Sequence, residues 1–182
     1  MFEDDRRDEE LVLFAVGLLS KAGRKADAET HLWRAFGKAP SLELYTRLRK
    51  LGGTAARERA LTLLEAGLGT GEGVRWHGAS DLMIGVLIQE RMFDAAWSAL
   101  EKHGGMPQLQ QALADASAAS HPDKALVVYA TLVERHIQLG QYEEARRLID
   151  RMARLRGAAQ QAAYLAELKG RHRRKRNFMK LL

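Results

Sequence analysis

SHPDKALVVYATLVERHIQLGQYEEARRLIDRMARL, residues 120 to 155, spells two amphipathic helices joined by a tight turn. In the first, Ala125, Val128, Tyr129, Leu132, His136 and Leu139 recur at three- and four-residue steps, which places them on one face of a 3.6-residue helix. Gly140 ends that run. Tyr142, Ala145, Leu148, Ile149 and Met152 make a second stripe, with Glu143, Glu144, Arg146, Arg147, Asp150 and Arg151 on the opposite side. The pair reads as an αα-hairpin. Neither stripe is covered by one hairpin alone, so neighbours of the same kind are needed.

Looser copies precede it. The acidic start leads into a first helix with an apolar strip through Leu11, Phe14, Ala15, Leu18 and Leu19, closed by Gly23. The spacing from Gly23 through Ala28, Leu32 and Ala35 to Pro40 resembles the second half of a tetratricopeptide repeat, where small residues let two helices approach closely. Ser41 is a good N-cap for LELYTRLRKL, which stops at Gly52 and Gly53; Thr54 can cap a further helix through Ala60, Leu61, Leu64 and Leu68. After LMIGVLIQE and a short corner at Arg91 and Met92, FDAAWSALEKH repeats the pattern with Phe93, Ala96, Trp97 and Leu100, Trp97 being read as core. Comparable alanines at positions 28, 60, 96 and 145 are unevenly spaced, and an extra helix at 107 to 119 fits the longest interval. The expectation is all-α: a degenerate α-α superhelix, or tetratricopeptide-like α-solenoid, of about nine to ten helices. It is read as a single domain over residues 1–182, with a glycine-rich connector at 67–78 and a basic helix at about 158–182.

Composition supports this. Apolar residues make up 46% of the chain and only three prolines occur, which argues against disorder and against a turn-rich β fold. The absence of cysteine removes disulfides, thiol chemistry and cysteine-based zinc sites within these residues. Acidic residues stand where a signal peptide would carry positive charge, and no apolar run approaches ~20 residues, so a cytoplasmic, non-membrane protein is expected.

Sequence spacing gives little support to catalysis. The glycines at 67, 69, 71, 73 and 78 follow no apolar strand and lack the Lys-Ser/Thr pair of a phosphate loop. None of the six histidines forms an i, i+4 pair or an HExxH motif, and no serine sits in a G-x-S-x-G elbow. His136, on an apolar face, reads as a hydrogen-bonded interface residue, and His121 as part of a helix start. Asp4, Asp5 and Asp8 read as a solvated helix start and not a cation site. A non-enzymatic protein without metal or cofactor is expected.

The strongest chemical feature is charge. Residues 3 to 10 hold six acids against two arginines, whereas residues 169 to 180 hold seven Lys or Arg and no acid; the net charge is +6. Lys169, Arg171, Arg173, Arg174, Lys175 and Arg176 are the candidate polyanion-binding set. Three readings compete: a solvated helix end, non-specific phosphate binding, or pairing with an acidic patch such as residues 3 to 10 of a neighbouring subunit. Few aromatics accompany these charges, so sequence-specific reading of nucleic acid is not expected.

LWRAFGKAPSLELYTRLRKL, RERALTLLEAG, FDAAWSALEKHG, HPDKALVVYATLVER, YEEARRLIDRM and YLAELKGRHRRKRNFMKLL, taken in that order, resemble the helical C-terminal region of bacterial SWIM zinc-finger proteins and related helical-repeat proteins. The resemblance implies helix pairs of tetratricopeptide-like kind. It carries no zinc site over, because a SWIM finger needs Cys-x-Cys followed by Cys-x-His. The functional expectation is a protein–protein interaction scaffold, with a nucleic-acid-associated accessory protein as the alternative; partner and oligomeric state stay open.

Overall fold

A computed structural model describes residues 2–68 and 78–182, with side chains from Asp8 onward. Among them every regular element is helical: α1 (Phe2–Lys21), α2 (Lys25–Lys38), α3 (Leu42–Leu68), α4 (Ala79–Gln89), α5 (Phe93–His103), α6 (Pro107–Ser117), α7 (Pro122–Gln138), α8 (Tyr142–Ala153), α9 (Ala158–His172) and α10 (Arg176–Met179). The fold is all-α and of helical-repeat type, and within each compact unit helices pack on their neighbours in sequence. It comprises two compact units, Met1–Gly105 with α1 to α5 and Met106–Leu182 with α6 to α10. No described helix is long and apolar enough to cross a membrane. Most of the expected connector, residues 69–77, lies outside the described residues; Gly67 and Leu68 belong to α3, and Gly78 opens α4.

Three hairpins share one turn. Gly23 (φ 77°), Arg91 (φ 58°) and Gly140 (φ 73°) each take the left-handed conformation just after a helix. In each, the next amide bonds back five residues: Arg24 to Leu19, Met92 to Leu87 and Gln141 to His136, all at 2.9 Å. That pairing satisfies helix-end carbonyls that would otherwise be orphaned. Glycine adopts this conformation freely, whereas Arg91 holds it at a cost of about 1 kcal/mol. Five residues beyond each turn stands a fully buried alanine, Ala28, Ala96 or Ala145. A larger side chain there would force the paired helices apart, at about 1–3 kcal/mol.

Other sequence signals land where expected. Ser41 Oγ accepts from the Leu44 amide at 3.2 Å and caps α3, and Pro107 and Pro122 stand at the starts of α6 and α7. The break expected at Gly52 and Gly53 is a kink inside α3, with Gly53 at φ 58° and ψ −140°. Trp97 is core.

Two stripes and one helix differ from expectation. On α7 the buried face runs through Ala125, Val128, Tyr129 and Leu132 and then passes to Val133 and Ile137, leaving Leu139 exposed. A 3.6-residue repeat drifts around the helix, so the inner face moves one residue along over four turns. On α1, Val16 faces the core while Leu11, Phe14 and Leu18 face outward. The basic helix expected over 158–182 is interrupted: α9 stops at His172, and a turn through Arg173 and Arg174 leads to the short α10. The break brings Phe178 into full burial, its ring 5.7 Å from Tyr142 and edge-on to His172 at 6.0 Å.

Candidate functional site

The six basic candidates separate into two classes. In the second unit Arg171 Nη1 lies 2.6 Å from Glu134 Oε1, and His172 Nε2 lies 2.8 Å from Glu134 Oε2, so one α7 carboxylate anchors the end of α9. Lys175 Nζ donates to the Ile137 carbonyl at 2.8 Å and caps the end of α7. Arg146 donates to the Leu181 carbonyl. Arg171 and Lys175 are therefore engaged in holding the segment down. Arg173, Arg174 and Arg176 are exposed and Lys169 half-buried, with no ion pair among the described residues. Residues 170 to 175 line a shallow hollow of about 410 Å³. Glu134 was not singled out in the sequence, because its partners lie 37 and 38 positions away and no local spacing announces them.

Each unit also contains a knot of tyrosine, carboxylate and arginine. In the first, Tyr45 Oη donates to Glu90 Oε1 at 2.8 Å, Arg49 Nε donates to the same oxygen at 2.8 Å, and Arg57 lies 3.8 Å from Oε2. In the second, Tyr129 Oη donates to Asp115 Oδ1 at 2.7 Å, and Arg151 Nη1 reaches both Asp115 oxygens at 2.5 and 2.6 Å. Burial, assisted by the neighbouring carboxylate, holds both phenols above their ordinary range. Burial alone would raise the Glu90 carboxyl as well; hydrogen bonds from Arg49 and Tyr45, with the charges of Arg49 and Arg57, outweigh it and hold Glu90 below 4.5. The Glu90 side chain is 9% exposed and that of Asp115 37%, so solvent screens the second knot more. Both knots tie helices together. Each hydroxyl is committed to its carboxylate.

An apolar groove belongs to the first unit. It has a volume of about 880 Å³ and runs between α3, α4 and α5. Its floor is apolar and buried or half-buried: Leu61, Met83, Leu87, Met92, Ala95 and Ala99. Its rim is polar and exposed: Glu65, Ser98, Lys102 and His103. The sequence placed Leu61 on an apolar stripe and Met92 at a corner, but nothing in the periodicity brought these residues together as one groove.

Among the described residues no three His, Cys, Asp or Glu side chains group so as to hold a metal ion. His136 is half-buried and hydrogen-bonded, Nδ1 lying 2.7 Å from Gln141 Oε1 across the α7–α8 turn. Asp8 pairs with Lys38 at 3.1 Å, while the side chains of Asp4 and Asp5 lie outside the described set. Comparison of the chain with protein-family models, with curated proteins and with solved structures finds no match.

Proposed function

We propose that this chain is a non-enzymatic scaffold of tetratricopeptide-like helix pairs, akin to the helical region of SWIM zinc-finger proteins, that acts in the cytoplasm by holding a segment of a partner protein. The carrying observation is the 880 Å³ groove with its apolar floor and polar rim. That is the anatomy of a recognition surface: desolvated apolar contacts at the centre, charged groups at the edge. Met83 and Met92 give the floor a flexible, polarizable lining that adapts to a guest side chain. The fitting guest is an amphipathic helix offering apolar anchors at i, i+3/i+4 and i+7.

Ala95→Arg fills the groove from a half-buried position without opening a cavity in the core. A photo-reactive side chain at the exposed Ser98 should cross-link a discrete protein in the native cell, and Ala95→Arg should reduce that product about tenfold or more. An unchanged product would reject the groove as the binding surface.

The second reading is phosphate binding by the basic turn, favoured by Arg173, Arg174 and Arg176 standing exposed and unpaired beside one another. With Lys169 they supply four contacts, for which the logarithmic salt slope on duplex DNA is roughly −3.6, or a loss of about 10²-fold between 50 and 200 mM salt. Arg173→Ala with Arg174→Ala should lower that slope by about 1.8, whereas Arg171→Ala should leave it unchanged, its charge being neutralised by Glu134. Indifference of the wild-type protein to DNA at low salt would reject this reading.

A further inference from the structure

Helix α1 carries two apolar stripes, and the first unit uses one. Val12, Leu13, Val16 and Leu19 are buried or half-buried, whereas Leu11, Phe14 and Leu18 remain 66%, 68% and 53% exposed. No other described helix leaves three large apolar side chains so exposed. They recur at i, i+3 and i+7, one strip along the outer face.

The charge pattern says what fits on that strip. Residues 3 to 10 hold six acids against two arginines, while residues 11 to 26 contain Lys21, Arg24 and Lys25 and no acid, Arg24 being paired with Asp27 at 2.7 Å. The helix and its following turn are therefore negative at one end and positive at the other. A second copy laid antiparallel matches both features under a single two-fold axis. The axis that sets Leu11 against Leu18 of the second copy passes between Phe14 and Ala15, and it also sets Asp8 against Lys21. A parallel pairing would stack like charges along its length. Asp8 is 62% exposed in its intrachain pair with Lys38, and Lys21 and Glu10 are exposed without an ion pair among the described residues. Asp8 and Lys21 are thus placed to pair across such an axis.

We propose that α1 is the dimerisation element of this protein, pairing antiparallel with α1 of a second copy. The contact is isologous, each copy supplying the same patch. A 20-residue helix is about 30 Å long, so the contact falls below the ~800 Å² per partner of a standard interface, and the dimer is a dissociable one.

Sedimentation velocity between about 1 μM and 1 mM should show monomer converting to dimer, with the Kd rising several-fold when salt shortens the Debye length to about 3 Å. Phe14→Glu, at an exposed position, should remain monomeric with an unchanged thermal melt. Because the chain has no cysteine, single introduced thiols report the register. Ala15→Cys, next to the axis, should form an intermolecular disulfide readily. Glu10→Cys should not, since its copies would lie roughly 13 Å apart along the helices. A monomer throughout the range, a dimer indifferent to Phe14→Glu, or equal cross-linking at both thiols would each overturn the proposal. The groove plays no part in this contact.

Discussion

Phe178→Ala is expected to release the segment from about Leu168 to Leu182, at a cost of about 3–5 kcal/mol. Its ring is fully buried, packed against Tyr142 and His172. The α10 helix has four residues, far too few to be helical by itself, so its conformation depends on that ring, on Lys175 capping α7 and on Arg146 reaching the Leu181 carbonyl. Truncating the ring removes the main anchor while leaving six α7 and four α8 core residues untouched. Amide exchange within α9 and α10 should accelerate about 10²–10³-fold, with little change in α7 and α8. Equal loss of protection across the whole unit would show that the ring supports the α7–α8 hairpin as well. Release would also free Lys175, so the mutant should show a steeper salt slope on DNA if the basic turn binds phosphate at all.

Glu90→Ala should destabilise the first unit by about 3 kcal/mol, because it strands the wholly buried Tyr45 hydroxyl and leaves Arg49 without its carboxylate. That figure already allows for the partial exposure of Arg49, which water re-solvates in part. Tyr45→Phe removes one hydrogen bond and should cost about 1 kcal/mol. Trp33 and Trp97 are buried in this unit and the second unit contains no tryptophan, so fluorescence follows the first unit's unfolding separately from the second. The pH dependence has a definite sign. The native Glu90 carboxyl titrates below 4.5, so as pH falls the unfolded chain takes the proton first. The stabilisation is therefore complete above 4.5 and lost as pH falls through the depressed native value. Urea titrations of wild type and Glu90→Gln should differ most above 4.5 and converge at lower pH; a constant difference would mean that this carboxyl does not titrate as its surroundings require.

The sequence was most legible where one helix face alone is apolar. On α8, Ala145, Leu148, Ile149 and Met152 are buried and Glu143, Glu144, Arg147, Asp150 and Arg151 exposed, just as the spacing requires. It was least legible on α1, where LVLFAVGLL is apolar all round. Periodicity cannot choose a face there, and the expected strip through Leu11, Phe14 and Leu18 is the outer one. Composition marked the basic segment, but Arg171 and Lys175 could not be told from Arg173 and Arg174, since their engagement depends on α7.

By itself the sequence determined that this protein is a succession of helix hairpins. Residue spacing, left-handed turn positions and small residues at close approaches are local properties that act before any long-range contact forms. Tertiary structure alone decided which stripes are covered, where the basic segment breaks and which charges remain free. Tyr45 meets Glu90 across 45 positions and Arg171 meets Glu134 across 37, and such partners are selected by burial geometry, in which an unpaired polar group is costly and an unpaired apolar one is exposed.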